Sequence, residues 1–231
     1  MQSRKVYLFI VEGPSDQSAI EGLLKRLFRN RYIYSIVMYG DVTSDDKVEP
    51  SRINDYLYEK VKGKLNEEKL RLSDVSHIFQ ICDMDGAFIP DSSIVKGENQ
   101  EFLYTTEKIV TRSVNKAIER NKKKREKIDI LLNTNALKKI PYKLYYMSSN
   151  LDHVLYDIQN LDKDEKMTKA DMFFEKYRDR PQLFIEFLKE KSFGVPCSYI
   201  DSWSFIKEDN HSLERHNNFF ILFDEHPVYA Q

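Results

Sequence analysis

Carboxylates at the ends of apolar runs carry the chemistry this sequence offers. Val6-Tyr7-Leu8-Phe9-Ile10-Val11 breaks off in Glu12-Gly13-Pro14-Ser15-Asp16. Val75-Ser76-His77-Ile78-Phe79-Gln80-Ile81-Cys82 breaks off in Asp83-Met84-Asp85-Gly86. Lys143-Leu144-Tyr145-Tyr146-Met147 is followed by Ser148-Ser149-Asn150-Leu151-Asp152-His153. In an extended chain, alternation puts Asp83 and Asp85 on one side and Met84 on the other. Carboxylates held together repel one another unless a cation lies between them. Hard oxygen donors suit Mg²⁺ or Mn²⁺, so Glu12, Asp83 and Asp85 read as a metal-assisted site. Cys82 reads as strand packing.

The elements that must position these groups follow from hydrophobic spacing. Short, continuously apolar runs rich in β-branched and aromatic residues predict buried strands at 6–11, 32–38, 75–82 and 143–147. Ala19, Ile20, Leu23, Leu24, Leu27 and Phe28 predict an amphipathic helix capped by Ser15 or Asp16. Ser51 is the expected cap of a second helix through Ile53, Leu57, Val61 and Leu65. A long helix is expected from about Thr105 to Lys127, with Ile109, Val110, Val114, Ala117 and Ile118 on one face. Its basic end carries Arg120, Lys122, Lys123, Lys124, Arg125 and Lys127. That end reads either as a solvated terminus that suits the helix dipole or as a nucleic-acid backbone contact at Lys122, Lys123, Lys124 and Arg125. A further helix is expected over 151–158.

The last third is mostly helical in pattern, with Pro181 opening one helix. Cys197–Ile200 reads as a short strand, and 217–223 as strand or helix. The fold class is therefore α/β: a Rossmann-type sheet of about four mainly parallel strands flanked by helices. Residues 1–158 form the catalytic unit and 159–231 a mostly helical extension packed on it. In such sheets ligands bind beyond the carboxyl ends of the strands, where the acids lie.

The 231 residues balance 36 basic against 37 acidic side chains, so there is no global basic signature for nucleic acid. The two cysteines, Cys82 and Cys197, lack zinc-ligand spacing and suit a reducing compartment. The first apolar run is too short to span a bilayer. A cytoplasmic chain without a membrane partner is expected. Gly-x-Ser-x-Gly and the phosphate-binding Gly-x-x-x-x-Gly-Lys-Ser/Thr loop are both missing.

Val11-Glu12-Gly13-x-x-Asp16 after one strand, with Asp83-x-Asp85-Gly86 after another, resembles the TOPRIM fold of topoisomerases, primases and certain nucleases. Asn150-Leu151-Asp152-His153 is similar to the later acidic element of the overcoming-lysogenization-defect nucleases and of small abortive-infection proteins related to them. The resemblance implies a Mg²⁺- or Mn²⁺-dependent nuclease acting on DNA or RNA by a two-metal mechanism, in phage defence. Asp83, Asp85 and Glu12 would serve the first ion and Asp16 or Asp152 the second. A lysine among Lys163, Lys166 and Lys169 would face the scissile phosphate, with Lys169 assigned as the catalytic one. The chain is too small for a topoisomerase gate, and it has no cysteine set for a primase zinc module. Its lack of an ATPase motif implies a separately encoded ATPase partner. The alternative is a non-catalytic TOPRIM module that binds nucleic acid or protein. A phosphotransferase resembling haloacid dehalogenases fits less well, because its acid pair would follow the first strand.

Overall fold

The structure, a computed structural model, describes residues 5–196 and 198–228. In chain order it comprises β1 (Val6–Val11), α1 (Pro14–Leu27), β2 (Tyr32–Val37), α2 (Ile53–Glu67), β3 (Val75–Asp83), β4 (Ile94–Lys96), β5 (Leu103–Tyr104) and β6 (Ile109–Thr111). There follow α3 (Val114–Leu132), β7 (Ala136–Leu137), β8 (Ile140–Met147), α4 (Leu151–Tyr156), α5 (Lys166–Tyr177), α6 (Gln182–Leu188), α7 (Tyr199–Ile206) and α8 (Ile221–Glu225).

A central sheet runs in the order β2-β1-β3-β8-β7. Its first four strands are parallel, and the two-residue β7 closes the edge antiparallel to β8. β1 is buried along its whole length, and its side chains alternate between two cores. Tyr7, Phe9 and Val11 face α1, α5, α6 and α8, where they meet Leu24, Phe173, Phe184 and Phe223. Val6, Leu8 and Ile10 face α2, α3 and α7, where they meet Leu57, Ile128 and Trp203. The chain after residue 158 thus shares its apolar core with β1 and α1. No helix among the described residues is long and apolar enough to cross a membrane.

The tightest helix contact is between α1 and α5. A Cβ on Gly22 would lie 2.3 Å from Phe174 Cε2. Gly22→Val is expected to destabilise the chain by about 1–3 kcal/mol through overpacking, read as a lower urea midpoint at unchanged m-value. A midpoint equal to the wild type's would show that Phe174 swings away freely.

Several expected boundaries move. The helix expected from Thr105 begins only at Val114 and continues to Leu132. Ile109, Val110 and Thr111 instead form β6, parallel to β4 and antiparallel to β5. Thr105 sets the intervening turn, its N–H donating to the Lys108 carbonyl. β-Branched residues beside a turn favour the strand, and this small sheet packs on Leu213. The basic run consequently sits mid-helix rather than at a helix end. Ser51 lies in a 3-10 turn, Pro50–Arg52, and caps nothing. The helix N-cap before α1 is Gly13, with Pro14 and Asp16 inside the first turn. Tyr199 and Ile200 begin α7, not a strand; Cys197 lies outside the described residues. The 217–223 stretch leads into α8.

A candidate acidic active-site cleft

Parallel pairing brings the acids together. β1 and β3 lie side by side with Ile10 opposite Gln80, so Glu12, just past β1, reaches the end of β3. The Asp83 N–H donates to Glu12 Oε1 at 3.0 Å. β3 and β8 pair with Asp83 opposite Met147, and the Leu151 N–H at the start of α4 donates to Asp83 Oδ1 at 2.9 Å. The N-cap of α4 is Asn150, whose side-chain oxygen accepts the His153 N–H. No hydrogen bond among the described residues reaches Glu12 Oε2 or Asp83 Oδ2. An open cleft of about 610 Å³ lies over these strand ends. Seven carboxylates line it, from Glu12, Asp83, Asp85, Glu101, Asp152, Asp162 and Asp164, against Lys163 and Lys166. A polyanion entering it therefore needs added positive charge.

Asp85 is held differently from the alternation expected of it. β3 ends at Asp83, Met84 is buried, and Asp85 turns into the left-handed region at φ 48°. The Asp85 N–H donates to the Ser149 carbonyl at 2.6 Å. Gly86 follows at φ 66°, with room for no side chain beneath Leu213. This bend carries the Asp85 carboxylate to Lys124, whose Nζ lies 2.6 Å from Asp85 Oδ2 and 2.7 Å from Asp41 Oδ2. Lys124 is fully enclosed. It shares the inner face of α3 with Asn121, Ile128 and Leu131, at helical spacing. From the same helix Asn121 donates to the Gly86 carbonyl, and Arg120 to the Asp85 carbonyl and the Tyr104 hydroxyl.

Asp41 is a site residue that strand-end spacing does not single out, as are the cleft-lining Glu101, Asp162 and Asp164. Its signal was position: it closely follows β2, the strand beside β1. The Gly40 N–H donates to the Glu12 carbonyl, drawing that loop over the site. Asp41 also accepts the Thr43 N–H and the Thr43 and Ser44 hydroxyls.

Electrostatics divide the cluster. Burial, then Asp41 and Asp83, push the Glu12 carboxyl well above the usual carboxylate range. Burial, then Asp85 and Asp16, do the same to Asp83. Burial works against the Asp41 charge, but Lys124 outweighs it and holds the pKa at about 2. Burial likewise opposes the Lys124 charge, and Asp41, Asp85 and Glu12 overcome it and raise the pKa. Lys124 thus favours the charged form of Asp41, while burial and neighbouring carboxylates disfavour charge on Glu12 and Asp83 in the metal-free protein.

The other predicted residues fall unevenly. Asp16 turns back on its own helix, accepting the Gly13 N–H at 2.8 Å. Burial, with Asp152 nearby, lifts its pKa to about 6. Asp152 lines the cleft, with Lys166 Nζ 2.6 Å from its Oδ2 and its buried Oδ1 without a hydrogen-bond partner. The lysine at the cleft wall is Lys166, with Lys163 near it; Lys169 is not among the lining residues. His153 is buried, and burial lowers its pKa to about 4.

The basic run is no nucleic-acid patch as a unit. Lys124 is the buried bridge just described and cannot touch a backbone phosphate. Arg125 donates to the Ala87 carbonyl, and Lys123 is paired with Asp46 and Glu119. Of the four, Lys122 alone is exposed. The residues meet three different surroundings because each helical step turns the side chain by about 100°.

No group of three or more His, Cys, Asp or Glu side chains among the described residues forms a ready-made metal cage. Mg²⁺, however, is commonly held by one or two carboxylates, retained waters and substrate phosphate. Glu12 and Asp83 fit that pattern: adjacent, facing an open cleft, each with an oxygen free of hydrogen bonds. The carboxylates of Asp85, Asp41 and Asp152 already have ammonium partners. Comparisons with protein-family models, curated proteins and solved structures find no match to this chain. The fold and site define an α/β protein whose mostly parallel sheet gathers carboxylates at its carboxyl edge.

Proposed function

We propose that the chain is a metal-dependent nuclease of TOPRIM type, hydrolysing phosphodiester bonds of DNA or RNA. The observation that carries this reading is the contact between Glu12 and Asp83 at the floor of an open cleft, where neither carboxylate has an ion-pair partner among the described residues and burial disfavours the charge of both. Glu12 and Asp83 would hold Mg²⁺ or Mn²⁺. When bound, the ion would polarise the phosphoryl group and the attacking water. Lys166 faces the cleft and offsets charge that grows on the phosphate, while the buried Asp152 fixes its ammonium. Water replaces one ester oxygen at phosphorus, leaving a phosphate monoester and a hydroxyl end. The resemblance to overcoming-lysogenization-defect nucleases extends the proposal to antiviral defence with a separate ATPase partner.

The test is cleavage of plasmid, single-stranded DNA and tRNA by the purified protein with Mn²⁺ or Mg²⁺. The expected result is cleavage of at least one substrate, abolished by chelator. Lys166→Met is expected to lower kcat by about 10²-fold, the scale of losing one charge-stabilising group. Lys169→Met is expected to stay near wild type, and the reverse ranking would restore the assignment of Lys169. A second reading is favoured by the missing three-residue cage and the lysine-paired acids: a non-catalytic TOPRIM binding module. It predicts stable complexes and no metal-dependent cleavage.

A further inference from the structure

We propose that Lys124 is a built-in cation: its ammonium fills, between Asp41 and Asp85, a place a divalent ion could otherwise take, and with Lys166 on Asp152 it leaves the cleft a single divalent ion, at Glu12 and Asp83. This rests on the divalent-ion reading above and sharpens it from a two-metal to a one-metal site.

Three observations support it. Lys124 Nζ bridges two carboxylates from different loops, at 2.6 and 2.7 Å. Those are contacts of a cation-binding position, and the cation is supplied by α3. A divalent ion on the same carboxylate would lie a few ångströms from the ammonium, and at a half-buried site that repulsion is poorly screened. Second, Lys124 is enclosed, so it cannot reach a bound phosphate. It is a positioning residue, and it acts through Asp85, which it holds in the left-handed turn with Arg120 and Asn121. Third, the opposite flank also holds an ammonium: the partly exposed Lys166 pairs with the single carboxylate of Asp152 at 2.6 Å. Ammonium groups therefore occupy both sides of the cluster, and the pair left for a metal is Glu12 and Asp83.

The experiment is metal stoichiometry on the full chain, stripped with chelator and dialysed against Mn²⁺ alone. One bound equivalent is expected, with the paramagnetic-resonance spectrum of an isolated ion. Two ions about 4 Å apart, as in two-metal sites, would give two equivalents and an exchange-coupled spectrum. That result would overturn the one-ion assignment while leaving the metal-dependent nuclease intact. No bound Mn²⁺ at all would overturn both. Lys124→Met, which keeps the length but removes the charge, is expected to gain a second equivalent and to melt at a higher temperature with Mn²⁺ than with chelator. A folded Lys124→Met still limited to one equivalent would refute the exchange of ammonium for metal. The wild-type stoichiometry decides the question even where that variant fails to fold.

Discussion

Glu12→Gln is expected to remove metal-dependent cleavage, by about 10²-fold or more, while leaving the fold as stable as wild type or more so. The amide keeps an oxygen to accept the Asp83 N–H, so local geometry survives and only the charge goes. That charge is costly in the free protein. Burial, Asp41 and Asp83 all raise the Glu12 pKa. A carboxyl whose pKa is higher folded than unfolded stabilises the chain fully below the unfolded value, about 4.3. That contribution is lost as pH rises through the folded value. With Asp83 raised too, the wild type in chelator should lose stability as pH climbs from the acid side towards neutrality. Glu12→Gln should flatten that slope and match or exceed the wild-type Tm near pH 7. Thermal melts between pH 4 and 8, beside cleavage assays, read both effects. A variant that cleaves like wild type ends the proposed function. One that melts well below wild type ends the account of a disfavoured charge at Glu12.

Lys124→Met is expected to have the largest effect on stability. It leaves Asp41 and Asp85 facing each other without their shared ammonium. Breaking a buried ion pair by removing one partner costs about 3–5 kcal/mol. For a chain of this size each kcal/mol moves Tm by about 2–4 °C, so melting in chelator should fall by about 6–20 °C. The acid limb checks the same triad from the other side. The Asp41 pKa is held at about 2 when folded, below the unfolded value of about 3.9. Its contribution is present above the unfolded value and is lost as pH falls through the folded one. Asp41→Asn should therefore make stability less sensitive to acid between about pH 4 and 2. A Lys124→Met variant as stable as wild type would mean that the bridge contributes nothing.

The effects have opposite signs because the cluster has two kinds of acid. Asp41 and Asp85 gain from their neighbours, and Glu12 and Asp83 pay for theirs. Adjacent carboxyls held where their charge is disfavoured are functional candidates on physical grounds.

Local pattern alone determined a good deal here. Val6–Val11, Tyr32–Val37 and the β3 run are apolar enough to be buried strands whatever surrounds them. The strands end where acids and glycine begin, so the sequence placed Glu12, Asp83 and Asp152 at strand ends or the loops beyond them. Parallel pairing then put those ends on one edge. Tertiary structure decided which charged groups meet. Lys124 is indistinguishable in sequence from Lys122 and Lys123. Its bridge to Asp41 spans 83 residues and that to Asp85 spans 39, and neither leaves a trace in local spacing. The same holds for Lys166 over Lys169, chosen by how α5 lies against α4, and for Ile109–Thr111, whose helix-like spacing yielded to pairing with β4. Hydrophobic periodicity records which face of an element is buried; it does not record which distant element covers that face, and that choice selected the cations of this site.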